Sequence, residues 1–413
     1  MSNWPVESLR GKIHIKHGFP FKGEFFSDQE SPYIVLTPGN FYEEGGFKRQ
    51  PGKEKFYTGE IPEEYVHEKG DLIVAMTEQA VGLLGSCARV PESGLYLHNQ
   101  RLGLITTNPK LLLKDYVYYL FRTRTVREQI RLTSSGSKVK HTSPDRIYNV
   151  KAPIPNVTVQ QKIIGFLDSI EDKIDLNNRI NVELEAMAKT LYDYWFVQFD
   201  FPDANGKPYK TSGGKMAYNT VLKREIPAGW DVKTLSQIAN ITMGQSPAGE
   251  SYNDEGNGAL FFQGSTDFGW LFPVPRQYTT LPARMAKKGD ILLSVRAPVG
   301  DMNIANADCC IGRGLAALNS KSGSDGFLFY VMKYFKQVFE RRNSEGTTFG
   351  SITKDDLHSL SVVYPQSDLL KKYDDIVSGY NKMIFVRSLE NQDLTKLRDW
   401  LLPLLMNGQV TVK

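Results

Sequence analysis

Apolar positions spaced alternately by about 3 and 4 residues run through residues 158–196: Ile163, Leu167, Ile170, Ile174, Leu184, Leu191 and Trp195. The segment lacks proline, and this period predicts one long helix carrying a coiled-coil seam, interrupted by Asn177 and Asn181. At ~1.5 Å per residue it would span roughly 55–60 Å, more than a compact domain needs, so it is expected to act as a spacer. Residues 367–405 align with it without gaps: Lys162 with Lys372, Ile174 with Ile384, Asn181 with Asn391, Leu184 with Leu394 and Leu191 with Leu401. The two helices are therefore expected to pack on each other, with Asn181 and Asn391 at one level, where an Asn pair hydrogen-bonds and fixes register.

The correspondence extends beyond the helices. Gly136, Asp145 and Pro155 match Gly346, Asp355 and Pro365, and Arg101 matches Arg313. Gly70 and Asp71 match Gly289 and Asp290, and Trp4, Val6, Leu9, Gly18 and Gly23 match Trp230, Val232, Leu235, Gly244 and Gly249. Order is kept throughout, so one unit is used twice. The expected boundaries are a globular domain at 1–156, a helix at 157–199, a linker at 200–222, a second domain at 223–366, a second helix at 367–407 and a tail at 408–413. The linker reading rests on FPDANGKPYKTSGGKM, rich in Gly and Pro.

In the first domain, residues 69–76 and 94–107 read as strands, and residues 114–131 as a helix carrying Arg122, Arg124, Arg127 and Arg131. The loop TSSGSKVKHTSPDRI follows, with hydroxyls and lysines suited to phosphates and base edges. In the second domain, MGQSPAGESY, FFQGSTDFGW, SVRAPVGDMN, CCIGRGLAAL and EGTTFGSITK each join glycine to Gln, Ser, Thr or Arg. Glycine lets backbone approach a partner closely, and Gln and Arg bind base edges bidentately, so the combination favours a reading surface over a catalytic pocket.

Composition narrows this picture only slightly. The 413 residues carry a net charge of +4, with a pI near 8.6, which permits a polyanionic partner without requiring one. No apolar run approaches a membrane span and the N-terminus lacks a signal-peptide core, so a cytoplasmic location is expected. Cys87, Cys309 and Cys310 lack metal-ligand spacing, and His14 and His17 lack a partner set, so no metal site is expected. GKPYKTSGGK departs from a phosphate-binding loop, with Met216 where Ser or Thr would bind magnesium. There is no Asn-Pro-Pro-aromatic methylation motif. Pro144 and Asp145 with Glu171, Asp172 and Lys173 fit a loose nuclease pattern, but the last three lie on the long helix as an ordinary charged face. A coiled-coil structural adaptor without sequence-specific DNA binding is the alternative.

LYDYWFVQFDFP after the first helix, GFPFKG near the start, MGQSPAGESY, FFQG, GDILLSVRAPVG and CIGRGLA in the second domain, and LRDWLLPLLMNGQV at the end resemble the specificity subunits of type I restriction-modification systems. The resemblance covers essentially the whole chain. It implies an α+β fold of two mixed α/β target recognition domains in pseudo-two-fold tandem repeat, joined by two long antiparallel coiled-coil helices. It implies a non-catalytic subunit that reads a bipartite, asymmetric site in double-stranded DNA. Two modification subunits would dock on it, and through them motor-nuclease restriction subunits. S-adenosylmethionine, ATP and magnesium would belong to those partners. The expected DNA contacts are Lys22, Thr77, Gln79, Arg101, Ser137, Lys138 and Lys140 in the first domain. In the second they are Gln245, Ser246, Gln263, Arg296, Arg313, Thr348 and Ser351.

Overall fold

The structure, a computed structural model, describes residues 4–78, 80–136, 139–344 and 351–412, with 338–344 described by backbone alone. The chain forms two compact units: Met1–Ile174 with Asp393–Lys413, and Asp175–Gln392.

In the first unit a four-stranded antiparallel sheet has the spatial order Ile13–His17, Leu102–Thr107, Leu72–Ala75, Cys87–Arg89. Leu72–Ala75 is buried at every position, and alternate side chains serve different cores: Leu72 and Val74 face one cluster, Ile73 and Ala75 another. That explains a strand written as an unbroken apolar run. The second cluster lies towards another four-stranded sheet of shorter strands, in which Ile34–Leu36 runs parallel to Tyr96–His98. The first is completed by Lys114–Leu120 and Arg124–Leu132, two helices where the sequence predicts one. Thr123 causes the break: its backbone is extended and its hydroxyl donates to the Leu120 carbonyl at 2.7 Å.

The second unit repeats this plan. Its four-stranded sheet runs Ala239–Met243, Leu315–Ser320, Ile291–Ser294, Met302–Ile304, and Ala259–Phe262 runs parallel to Cys309–Ile311 in its neighbour. The edge pairs match as well: Val6–Ser8 with Lys151–Pro153 in one unit, Asp231–Thr234 with Ser361–Tyr364 in the other. Residues 200–222 are folded rather than open. Met216–Asn219 pairs with Arg224–Pro227, Phe201 stacks on Tyr209 and Trp230, and Thr211 donates twice to Asp200. Glycine and proline make turns here, and aromatic rings replace the missing aliphatic residues.

The long helices are Val157–Tyr192, which passes into a π-helical turn at Asp193–Val197, and Ser367–Met406. Both pass through both units. In the first unit Ile163, Leu167 and Ile170 are buried with Leu402, Leu405 and Met406, while Ile174, Leu394 and Leu401 are half-buried. Arg89 bridges Asp115 and Asp168, Tyr119 donates to Asp168 at 2.6 Å, and both Arg122 and Arg398 reach Glu171. In the second unit Ile384 is buried, Leu184 and Leu191 are half-buried, and Tyr373 donates to the Ala188 carbonyl among the rings of Tyr192, Phe196, Phe327 and Tyr330.

Between these contacts lie the asparagines, but their pairing differs from the expected one. Asn391 accepts from Asn177 at 2.9 Å and donates to Asn178, while Asn181 donates to Ser388 at 3.3 Å. The helices run antiparallel here, so climbing one descends the other. Aligned positions such as Asn181 and Asn391 then need not be level, and the partner of Asn391 lies one turn earlier.

Among the described residues Glu171 is the only carboxylate paired with the nearly buried Arg122. Glu171→Ala is expected to cost about 3–5 kcal/mol of first-unit stability in urea unfolding, because it leaves a buried guanidinium uncompensated. Lys189→Ala, which removes a partly exposed pair with Asp193, is expected to cost under ~1 kcal/mol.

Candidate nucleic-acid interface

In the second unit the turns after several strands interlock at one end of the sheets. Gln245 N–H donates to the Ile311 carbonyl, Gly312 N–H to Phe262, Gly314 N–H to Gln263, and Val295 N–H to Gly314. Glycine makes the approach possible: a Cβ on Gly244 would lie 2.1 Å from the Gly312 carbonyl oxygen. The result brings Gln245, Ser246, Gln263 and Arg313 together. The Ser246 hydroxyl donates to Gln263 Oε1 at 3.0 Å and accepts from Arg313 N–H at 3.3 Å. Arg296 joins them through Val295, and its backbone bridges to Ser351. Gln245, Gln263, Arg296, Arg313 and Ser351 are exposed, and among the described residues neither guanidinium has a carboxylate partner. The Gln245 amide and the two guanidiniums thus face solvent on a frame held by backbone hydrogen bonds. Thr348 lies outside the described residues.

The first unit places its residues on the corresponding turns. A Cβ on Gly18 would lie 2.0 Å from the Asn99 carbonyl oxygen, the same close approach as at Gly244. Arg101 is exposed, and its carbonyl accepts from Met76 N–H. Lys140, half-buried, accepts through its carbonyl from Glu78 N–H. Lys22 is exposed before a 3₁₀ turn. Thr77 departs from its expected role: it is buried, 3.1 Å from His141 Nδ1, and shapes the loop instead of facing solvent. Gln79, Ser137 and Lys138 lie outside the described residues.

The arginines divide by function. Arg122 and Arg127 face inward, Arg127 donating to the backbone carbonyls of Glu43, Gly82 and Leu84. Sequence reasoning missed Ser265 and Thr266, which line a shallow cavity of about 290 Å³ with Arg296 and Gly314. Their signal was the hydroxyl pair following Gln263 and Gly264. Cys87 is buried, and burial pushes its thiol up to about 12, consistent with packing rather than reactivity.

The family of type I restriction modification DNA specificity domains matches residues 1–186 and 227–384. The chain belongs to that family. A putative type I restriction enzyme MjaX specificity subunit of Methanocaldococcus jannaschii is 30% identical, over 83% of this chain and 79% of that protein. The HindI specificity subunit of Haemophilus influenzae is 22% identical, over 76% of this chain and 81% of its own. A solved type I restriction-modification S subunit from M. genitalium shares the fold, with a TM-score of 0.62 at 16% identity, covering 98% of this chain and 96% of that one. The interlocked turns thus lie within the two matched stretches, and each stretch carries one copy of the plan described above. Among the described residues no helix is long and apolar enough to cross a membrane.

One buried pair gives the first specificity unit a pH response. His98, fully buried, lies 4.7 Å from the His67 ring, and its Nδ1 has no hydrogen-bond partner among the described residues. Burial foremost, and then His67, pushes its imidazole down to about 3. An unfolded imidazole titrates near ~6.5, so below that pH the unfolded chain binds a proton that the folded chain refuses. Stability of this unit is expected to fall as pH drops from about 6.5 towards 3, by up to ~1.4 kcal/mol per pH unit from His98. Urea unfolding between pH 7 and 5 measures the slope, and His98→Gln is expected to flatten it.

Proposed function

We propose that this chain is the sequence-reading subunit of a type I restriction-modification assembly, binding double-stranded DNA and performing no chemistry itself. The observation that carries the reading is the repeated cluster of interlocked turns, which presents exposed Gln245, Gln263, Arg296 and Arg313 in one unit, neither arginine having a carboxylate partner among the described residues, and Arg101 with Lys140 in the other. Arg and Gln form the bidentate pairs with guanine and adenine that carry direct readout, and lysine neutralises phosphate. The two clusters differ in sequence, so each reads a different half-site and the target is bipartite and asymmetric.

Continuous helices through both units support a spacer role, and side chains off their seams support docking. Val182, Met187, Val386, Leu397 and Trp400 are exposed apolar residues on these helices, the chemistry expected of a protein contact. We assign them to modification subunits, two per chain as the repeat suggests, with restriction subunits joining through these. The methyl donor, ATP and magnesium are then held by the partners, and the assembly works in the cytoplasm, where its DNA is.

Replacing residues 223–366 with the matching domain of another specificity subunit is expected to change one half of the methylated motif and preserve the other, as read by genome-wide adenine methylation. A change in both halves would rule out independent readers. Gln263→Ala is expected to weaken target binding by ~1–3 kcal/mol and relax one position. Equal binding of target and scrambled DNA by the wild-type assembly would favour a structural adaptor.

A further inference from the structure

Among the described large hydrophobic residues Val81 is the most exposed, at 91%. It sits at the tip of the turn between the strands Leu72–Ala75 and Cys87–Arg89, and Leu83 N–H donates across it to the Ala80 carbonyl. Gly82 follows at φ 88, as the third position of a type II turn requires.

The described residues around Val81 fix this exposure through their contacts. Arg127 donates to the Gly82 and Leu84 carbonyls from inside the unit, Gly82 N–H donates to Glu78 Oε1 at 3.1 Å, and Leu83 and Leu84 anchor the far side as buried residues. Gly85 lies so close to Ile130 that a Cβ there would meet its Cδ1 at 2.9 Å. The loop stem is also tied to the candidate reading surface. Glu78 N–H donates to the Lys140 carbonyl, and Met76 N–H to that of Arg101. A turn held at so many points, its stem bonded to the backbones of Lys140 and Arg101, keeps its valine outward.

We infer that Val81 is a specificity-determining residue of the first unit, making apolar contact with the 5-methyl group of a thymine in the major groove. A branched aliphatic side chain has no donor or acceptor to offer a base edge, and the thymine methyl is the apolar group that groove presents. The inference rests on the DNA-reading function proposed above.

The test uses the full chain assembled with its modification subunits. The methylated motif and the domain replacement first define which half-site the first unit reads. Each thymine of that half-site, on both strands, is then replaced singly by deoxyuridine, which lacks only the methyl. One replacement is expected to weaken binding about three- to four-fold. In Val81→Ala the same replacement is expected to have no effect, with thermal stability and discrimination at the other half-site unchanged. Specific binding that is indifferent to every deoxyuridine, sensitivity that persists in Val81→Ala, or a half-site without thymine would each overturn the assignment while leaving the reader intact. Loss of all sequence preference in the wild-type assembly would instead overturn the DNA-reading function, and this inference with it.

Discussion

Two helices of 36 and 40 residues cannot leave an apolar seam uncovered in water, and the way that seam is covered governs the rest of the molecule. Each unit covers a different length of it by different chemistry. In the first, aliphatic residues are reinforced by carboxylates on the helix that receive Arg89, Arg122 and Arg398. In the second, an aromatic cluster around Tyr192, Phe196 and Tyr373 packs with aliphatic residues over it. Between Asn177 and Asn391 the seam turns polar, and hydrogen bonds set the level of one helix against the other.

The same division of labour recurs in the sheets. Strands such as Leu72–Ala75 and Ile291–Ser294 are buried on both faces and have no freedom to carry function. Their connecting turns are held by backbone hydrogen bonds and by glycines pressed against carbonyls, so side chains on them vary without disturbing the frame. Two units can therefore share one architecture and still present different chemistry, Gln and Arg in one, Arg and Lys in the other.

Much of this was legible in the sequence, because it depended on periodicity and repetition. The long helices, the tandem plan and the glycine-bearing turns all leave regular marks at fixed spacing. What was illegible depended on direction or on partners distant in the chain. The pairing of Asn391 with Asn177 follows from antiparallel packing, which alignment of two copies does not encode. Arg122 and Arg127 look like the solvent-facing arginines of an amphipathic helix, but the break at Thr123 and the carboxylate of Glu171 turn them to internal use. Thr77 sits in a loop of polar residues and is nevertheless buried against His141. The segment 200–222 has a linker's composition, yet three aromatic rings close it into a folded piece.

The unlike coverings of the helix seam respond to temperature through different physical causes. Hydration of ions becomes less favourable on heating, so desolvating the Arg122–Glu171 pair costs less as temperature rises. Apolar burial of the kind surrounding Tyr373 weakens on cooling. Both grips therefore weaken in the cold, for unlike reasons: in the first unit the ions become more costly to desolvate, and in the second the apolar burial fades.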